Sequence, residues 1–417
     1  MNKYSNINYY KMIQYCFGLL NRSNNTKQIK KVNNNTNSSE NNSNTNHNSN
    51  SSDNDRSTIN ELYDTNAYLK ILSEQLFDDT SINTNNLSIY DNIQNQNDFI
   101  QEYNNINLLN FSFDPLLLEN LDRNMFVNIV LFLLKNNKSF TKINIDEQKL
   151  IVFLVDVGQL YYDALNPYHN IKHALHVFHT LHMMMIHETE ILKDDVVFSI
   201  YISALCHDID HCGCTNSYLA KTQNKKAILS NYISPQEMHH ARITIDLLEK
   251  HQVLIGSKLE NEIESINQYI IYFILATNIS DHNKFMIKFN PKKYNHRLKL
   301  YLKCADLSHT FASEKQHITW TEMLQKEFFI QGDKEHYHRI PVTAMFDRKN
   351  KDAMKFTQYE FFNLIVRPMF NKLFKIMPEN IENEIAGQIE INVNYWRTIM
   401  KTISESSSSK ILNKIII

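Results

Sequence analysis

From Phe111 onward, apolar residues recur every three to four positions in stretch after stretch, and no other feature limits the fold of this chain as much. The stretches are Met125–Leu134, Gln148–Leu160, Ala174–Met185, Val196–Leu205, Arg242–Leu248, Ile266–Ala276, Leu298–Cys304 and Phe361–Phe374. That spacing lays an apolar stripe along one side of an α-helix, and the stripe must be buried against another element. Strand-like alternation is scarce. With six glycines in 417 residues, the tight turns that join hairpins are nearly absent as well. The expected fold is all-α, a compact multi-helix domain over residues 106–400.

The rest of the chain reads differently. Residues 1–57 are dominated by Asn and Ser from Asn21 on and bury too little apolar surface to offset ordering entropy, so disorder is expected there. Residues 58–105 are transitional and partly helical, and residues 401–417 form a low-complexity C-terminal tail. The formal net charge is −2, and no basic stripe points to nucleic acid or an anionic membrane. A phosphate substrate would therefore need metal ions or local residues to neutralise it. The five cysteines, Cys16, Cys206, Cys212, Cys214 and Cys304, are odd in number and form no disulfide framework, which suits a reducing compartment. Cys212 and Cys214 alone make a weak zinc signal. Apolar runs such as Met125–Leu134 and Tyr269–Ala276 fall far short of the roughly 20 residues a spanning helix needs. A cytoplasmic location is expected, with membrane attachment left open to any region outside this chain.

Histidine and aspartate gather in five places: Tyr168-His169-Asn170-Ile171-Lys172-His173, His207-Asp208-Ile209-Asp210-His211, Glu237-Met238-His239-His240, Asp281-His282 and Cys304-Ala305-Asp306-Leu307-Ser308-His309. His169 and His173 stand four apart, as do His207 and His211, so a helix would project each pair from one face. His207 and Asp208 are neighbours and cannot share a helical face. Both can reach one ion from a helix end, or each can serve a different ion of a pair. Neutral imidazole suits zinc, while carboxylate and water suit magnesium or manganese, so the mixed set suits one softer and one harder ion. Two ions about 3.5–4 Å apart can clamp the attacking and leaving oxygens of a phosphodiester. A bridging Asp208 would fix that separation. The leaving alkoxide needs a proton at neutral pH, and a histidine outside the ligand set, with an ordinary pKa of about 6.5, can supply it. With His173 taken as a ligand, His169 is the candidate. His176, His179, His182 and His187 read as structural or surface residues, and His251, His296, His336 and His338 as surface. On their own terms Gln358 reads as an exposed polar residue and Phe361 as core.

The ordered set His173, His207-Asp208 and Asp306 resembles the HD superfamily of metal phosphohydrolases, and its setting resembles class I cyclic nucleotide phosphodiesterases more closely. YHNIKHALHV is similar to that family's Y-H-N-x-x-H-A signature, and HDIDHCGCTN to its H-D-x-D-H-x-G-x-x-N. EMHH, LATN, CADLSH, EFFIQGDKE and QYEFFNLIVRP follow in the family's order, so the resemblance covers about 110 to 400. It implies an all-α catalytic domain of about sixteen helices with its site in a deep pocket. It implies that His173, His207, Asp208 and Asp306 hold a zinc ion, and that Asp208 also bridges to a magnesium or manganese ion held mainly by water. His169 would protonate the leaving 3′ oxygen, with His211, Glu237 and His240 supporting the water and phosphate network. Gln358 would hydrogen-bond the purine edge, and Phe361 and Leu324 would press on its two faces. Asn216 and Trp320 match positions beside the pocket, and His309 a position that varies with nucleotide preference.

Two departures stand out. Cys212 occupies the place of a usual Pro, and Asn278 replaces the Asp of an L-A-T-D phrase, removing a charge that Asp281 stands near enough in sequence to replace. The activity implied is metal-dependent hydrolysis of the 3′ phosphoester bond of cyclic AMP, cyclic GMP or both to the 5′-monophosphate, which ends a cyclic nucleotide signal. The alternatives are another HD phosphohydrolase, which the phrase around Gln358 disfavours, and a catalytically weak cyclic-nucleotide sensor or scaffold, which only Asn278 favours. The substrate is the expected partner, and the resemblance allows a homodimer.

Overall fold

The structure, a computed structural model, describes residues 108–415 apart from 120, 255 and 257–259. The expected disordered tail, the transitional segment and Cys16 lie outside the described residues. Each apolar stripe folds as a helix, and polar residues just before the stripes set where several of the helices begin. Helix α1 spans Arg123–Asn136, with the Asp122 carboxylate accepting from the Met125 amide, and α2 spans Glu147–Asp163, capped by Asp146. Helix α3, Ile171–Met185, starts where the Asn170 side chain accepts from the amides of Lys172 and His173. Next come α4 Asp194–Cys206, α5 Asn216–Lys221, α6 Lys225–Leu229 and α7 Pro235–Lys250. After them run α8 Glu260–Thr277, α9 His282–Lys288, α10 Tyr294–Asp306 and α11 Glu314–Tyr337. Helix α12, Ala353–Phe361, passes through a π-helical turn at Phe362–Val366 into α13, Arg367–Leu373. Pro368 has no amide to offer the Leu364 carbonyl, which accounts for the widened turn. Helix α14 runs Glu379–Ile415, across residue 400.

The described residues thus carry fourteen α-helices and no strand, in line with the expected all-α class and slightly below the sixteen or so helices expected. Helix α3 is buried almost all round, packed by α1, α4 and α10, and α4 lies between α3 and α8. A helix apolar on every side belongs in the middle of a domain. From Val196 to Cys206 no residue of α4 reaches solvent, so truncating one of them, for example Leu205→Ala, costs about 2–5 kcal/mol. The same burial makes His176, His179 and His182 interior residues. His251 departs from its surface reading: it is half-buried, with Nε2 2.7 Å from Asp156, which Lys250 also meets.

This arrangement brings three helix ends together. The first turn of α3 carries His173, α4 ends just before His207-Asp208, and α10 ends on Asp306. On the far side, α11 approaches the Thr343–Phe346 turn so closely that a Cβ on Gly332 would lie 1.9 Å from the Phe346 carbonyl oxygen. That contact seats a small apolar cluster of Phe328, Met345, Phe346, Ala353 and Met354, against which Leu324 packs.

Candidate active site

His173 Nε2 lies 3.2 Å from His207 Nε2. Each of these nitrogens lies 3.1–3.4 Å from Asp208 Oδ2 and Asp306 Oδ1. Donors bound tetrahedrally to an ion at 2.0–2.1 Å stand about 3.3 Å apart, so the four atoms have the spacing of a zinc ligand set. The chemistry of the donors agrees. His207 Nδ1 is 3.0 Å from the Ala204 carbonyl and must donate to it, which leaves a lone pair on Nε2 facing the other three. Burial opposes charge on Asp208, yet His207 and His169 hold it well below the usual carboxylate range. The imidazoles are buried, whereas Asp208 and Asp306 keep 15% and 25% of their side-chain surface open, both towards one cavity. An ion held here would therefore have an open side.

A looser group of Asp208, His211 and His240 adjoins it, sharing Asp208. His240 Nδ1 donates to the Ile209 carbonyl at 2.5 Å, so its Nε2 is an acceptor. That atom has no hydrogen-bond partner and faces Asp208 Oδ1 at 3.7 Å, the environment of a water molecule or an ion's hydration shell. His211 Nδ1 accepts from the Gly213 amide at 3.1 Å, which puts its proton on Nε2. Gly213 adopts φ +63°, and a Cβ there would stand 2.7 Å from Asn166 Oδ1. Asn166 in turn donates to the carbonyls of His211 and His169 and so ties the two motifs together. The second aspartate of HDIDH, Asp210, turns away to His239 and Lys226.

His169 lies beside the ligand set, its Nε2 3.9 Å from Asp208 Oδ2. Its Nδ1 is 2.5 Å from Glu327 Oε1, and Glu327 Oε2 accepts from the amides of Tyr168 and His169. Burial disfavours the imidazolium, but Glu327 and Asp208 outweigh it and raise the His169 pKa to about 9. Burial likewise opposes ionisation of Glu327, and His169 overrides it to bring that pKa down to about 2. Glu327 was missed as a site residue. Its signal was a carboxylate within the EFFIQGDKE phrase, one helical turn beyond Leu324.

The cavity has a volume of about 220 Å³. His169, Asp208 and Asp306 face one part of it, while Leu324, Gln358 and Phe361 line it as well. Asn216, Glu237 and His309 also reach its wall. Asn216 donates to both Glu237 oxygens, and burial raises the Glu237 pKa to about 7. Gln358 is buried, contrary to its reading on its own terms. Its Oε1 has no partner, and its Nε2 meets only the Met354 sulfur, at 3.6 Å. Trp320 does not line the cavity, contrary to its expected place at the substrate. It is fully buried behind Tyr168, stacks on His176 and donates to Asp114. Asn278 lines the cavity and bridges two elements, donating to Ser234 Oγ at 2.7 Å and accepting from the Ser280 amide. Cys212 turns its thiol to Gln236 Oε1.

This geometry agrees with a sequence profile. The 3′5′-cyclic nucleotide phosphodiesterase family matches residues 168–386, more than half of the chain, and the chain belongs to that family. Among its relatives, the dual 3′,5′-cyclic-AMP and -GMP phosphodiesterase beta of Plasmodium falciparum is 29% identical over 277 residues, 62% of this chain and 24% of that protein. The cGMP-specific 3′,5′-cGMP phosphodiesterase 3 of Dictyostelium discoideum is 27% identical over 284 residues, 65% of this chain and 60% of that protein. This chain therefore spans between about a quarter and three fifths of the length of those two relatives. The phosphodiesterase domain of the Salpingoeca rosetta rhodopsin phosphodiesterase shares the fold, with a TM-score of 0.66 at 23% identity over 76% of this chain and 98% of that domain.

Proposed function

We propose that the chain hydrolyses 3′,5′-cyclic AMP, cyclic GMP or both at the 3′ phosphoester bond, giving the 5′-monophosphate. The observation that carries this reading is one cavity lined by an open ligand set, a histidine held protonated beside it, an aromatic ring, and an amide whose oxygen has no partner. His173, His207, Asp208 and Asp306 would hold a tight ion, suited to zinc. Asp208 would share a second ion, suited to magnesium or manganese, with water as its main ligand. Bound there, divalent ions supply positive charge that stabilises the phosphoryl oxygens as negative charge builds on them.

The remaining steps belong to this chain's side chains. His169 donates its Nε2 proton to the leaving 3′ oxygen, and Glu327 keeps that proton in place and fixes the ring. His211 offers an Nε2–H donor, and His240 offers an Nε2 lone pair that orients a water. Glu237, held by Asn216, adds a carboxyl group that titrates near neutrality. Phe361 and Leu324 clamp the purine, and Gln358 bonds its edge. The amide of Gln358 has no firm protein partner, so it can turn either its donor or its acceptor to the base. Four described cysteines are free thiols, which suits a cytoplasmic setting.

The test is product analysis. Cyclic AMP and cyclic GMP are incubated with the protein and Mg²⁺ or Mn²⁺, and the products are separated chromatographically. The 5′-monophosphate is expected. The 3′-monophosphate would place the acid on the wrong oxygen, and tight nucleotide binding without turnover would make the chain a sensor.

A further inference from the structure

The loop between α4 and α5 places two thiols side by side. Cys212 and Cys214 flank Gly213, and their sulfurs hydrogen-bond each other. Gly213 takes the left-handed conformation, with φ +63°. An extended chain would hold the flanking Cα atoms about 7 Å apart, at the upper limit for a disulfide, and a bend at the residue between them brings them closer. Cys212 is half-buried and Cys214 lines the cavity, so a small oxidant can reach the pair. Cys206 and Cys304 lie in the apolar core instead. Cys212 stands in the place of a usual Pro, so the pair is a departure from the family pattern and not part of it.

The contacts give the reduced pair a direction. Lys334 Nζ, which can only donate, lies 3.3 Å from Cys214 Sγ. Cys212 Sγ donates to Gln236 Oε1 at 3.5 Å, while Gln236 Nε2 donates to the Cys214 carbonyl at 3.2 Å. The Cys214 S–H is left to donate to Cys212, so the chain runs from Lys334 through both sulfurs to Gln236. The hydrogen bond from Cys214 outweighs burial, and Lys226 and Lys334 add to it, so the Cys212 thiol ionises below the ordinary thiol range. A partly exposed thiol among cations, with a second thiol beside it, is the setting of a reactive and resolving pair.

We propose that Cys212 and Cys214 form a reversible oxidation site, at which a hydroperoxide closes a disulfide across Gly213 and thereby lowers turnover. Cys212 sulfur attacks one peroxide oxygen, the O–O bond breaks, and the other oxygen leaves with the thiol proton as water. The resulting sulfenic acid is attacked by Cys214 sulfur. The S–S bond forms, the S–O bond breaks, and hydroxide leaves as water with the Cys214 proton. Two thiols are oxidised and one peroxide is reduced to two waters. The bond removes both S–H protons, which takes the donor away from buried Gln236 Oε1. Gln236 sits in the cavity wall, and its backbone amide donates to Asn216 Oδ1 at 2.8 Å. Asn216 in turn holds Glu237, and the Gly213 amide donates to His211, so the disulfide pulls on the wall from two sides. The thiol chemistry rests on these contacts alone, whereas its effect on turnover rests on the phosphodiesterase reading above.

Two readouts keep these parts separate. The full chain is reduced, freed of reductant and treated with hydrogen peroxide. Remaining thiols are alkylated in denaturant and the peptides are mapped by mass spectrometry. The peptide holding both cysteines should be two hydrogen atoms lighter, with the bond between Cys212 and Cys214, while Cys206 and Cys304 are alkylated. The kcat/KM for either nucleotide should fall by about tenfold and return with dithiothreitol. Cys212→Ser keeps a donor to Gln236; it should match the reduced wild type in activity and lose the response to peroxide. If that variant does not fold, Cys214→Ser takes its place with the same expectation. Cys212 left reduced, or oxidised without a bond to Cys214, overturns the proposal. So does a bond that leaves turnover unchanged, or an equal peroxide loss in the serine variant. If the reduced wild type hydrolyses neither nucleotide, the phosphodiesterase reading fails. The peptide map then still decides the bond, and the Kd for cyclic nucleotide before and after peroxide decides its link to the cavity.

Discussion

At one end of the cavity the four proposed metal ligands sit at or beside helix ends and are aimed by neighbours close in sequence. His207 is turned by the Ala204 carbonyl three residues away, and the turn that starts the helix of His173 is capped by Asn170. The base end is assembled from distant pieces. Trp396 donates to His317 across 79 residues, and the Nε2 of Gln358 meets only the Met354 sulfur. On the proposed reading, the contrast teaches that the reacting end is preorganised by local motifs, whereas the base end is shaped by long-range packing.

If the contrast is right, damage at the two ends differs in kind. Asp208→Ala removes a ligand from both proposed ion positions and should lower kcat by about a thousandfold or more, several kcal/mol of transition-state stabilisation, in a steady-state assay of either nucleotide. Glu327→Gln should be next, with kcat/KM about a hundredfold lower. Its pH profile is the sharper check. His169 acts while protonated, and activity is lost as pH rises through its pKa. Removing the Glu327 charge lowers that pKa, so the alkaline limb should move to lower pH. An alkaline limb that stays in place would detach Glu327 from the proton.

At the base end, Phe361→Ala should raise KM for both nucleotides by about tenfold, worth about 1–3 kcal/mol of stacking, with kcat little changed. The smallest effect should come from Gln358→Met. It removes a buried oxygen without a partner and should stabilise the protein by about 1 kcal/mol in thermal unfolding, while weakening substrate binding. A loss of stability would show that Gln358 is held more firmly than its contacts indicate.

The same contrast governs what the sequence could show. The all-α fold was legible in the 3.6-residue period, because each stripe from Met125 to Phe374 needed only its own spacing to be read. The convergence of His173, His207, Asp208 and Asp306 was legible because they come as compact phrases at helix ends, and the place of His169 beside them because it stands four residues before His173. Glu327 was not legible as a partner of His169: the two are 158 residues apart and meet only once α11 packs against the start of α3. His317 and Trp396 were invisible for the same reason. A lone histidine and a lone tryptophan on separate helices carry no sequence signal, and the structure buries both and brings their nitrogens together. Trp320 shows the opposite error. A position taken from a resemblance put it beside the substrate, whereas its indole is committed to Asp114 behind the wall.

The most direct test of the central claim combines metal content with turnover. Purified wild type and Asp306→Ala are analysed for zinc by mass spectrometry and assayed side by side with cyclic AMP and cyclic GMP in the presence of Mg²⁺. The account predicts zinc and hydrolysis in the wild type, and the loss of both in the variant with the helical fold intact by circular dichroism. Turnover that survives unchanged in Asp306→Ala, or a wild type equally active after complete removal of its metal, would contradict it.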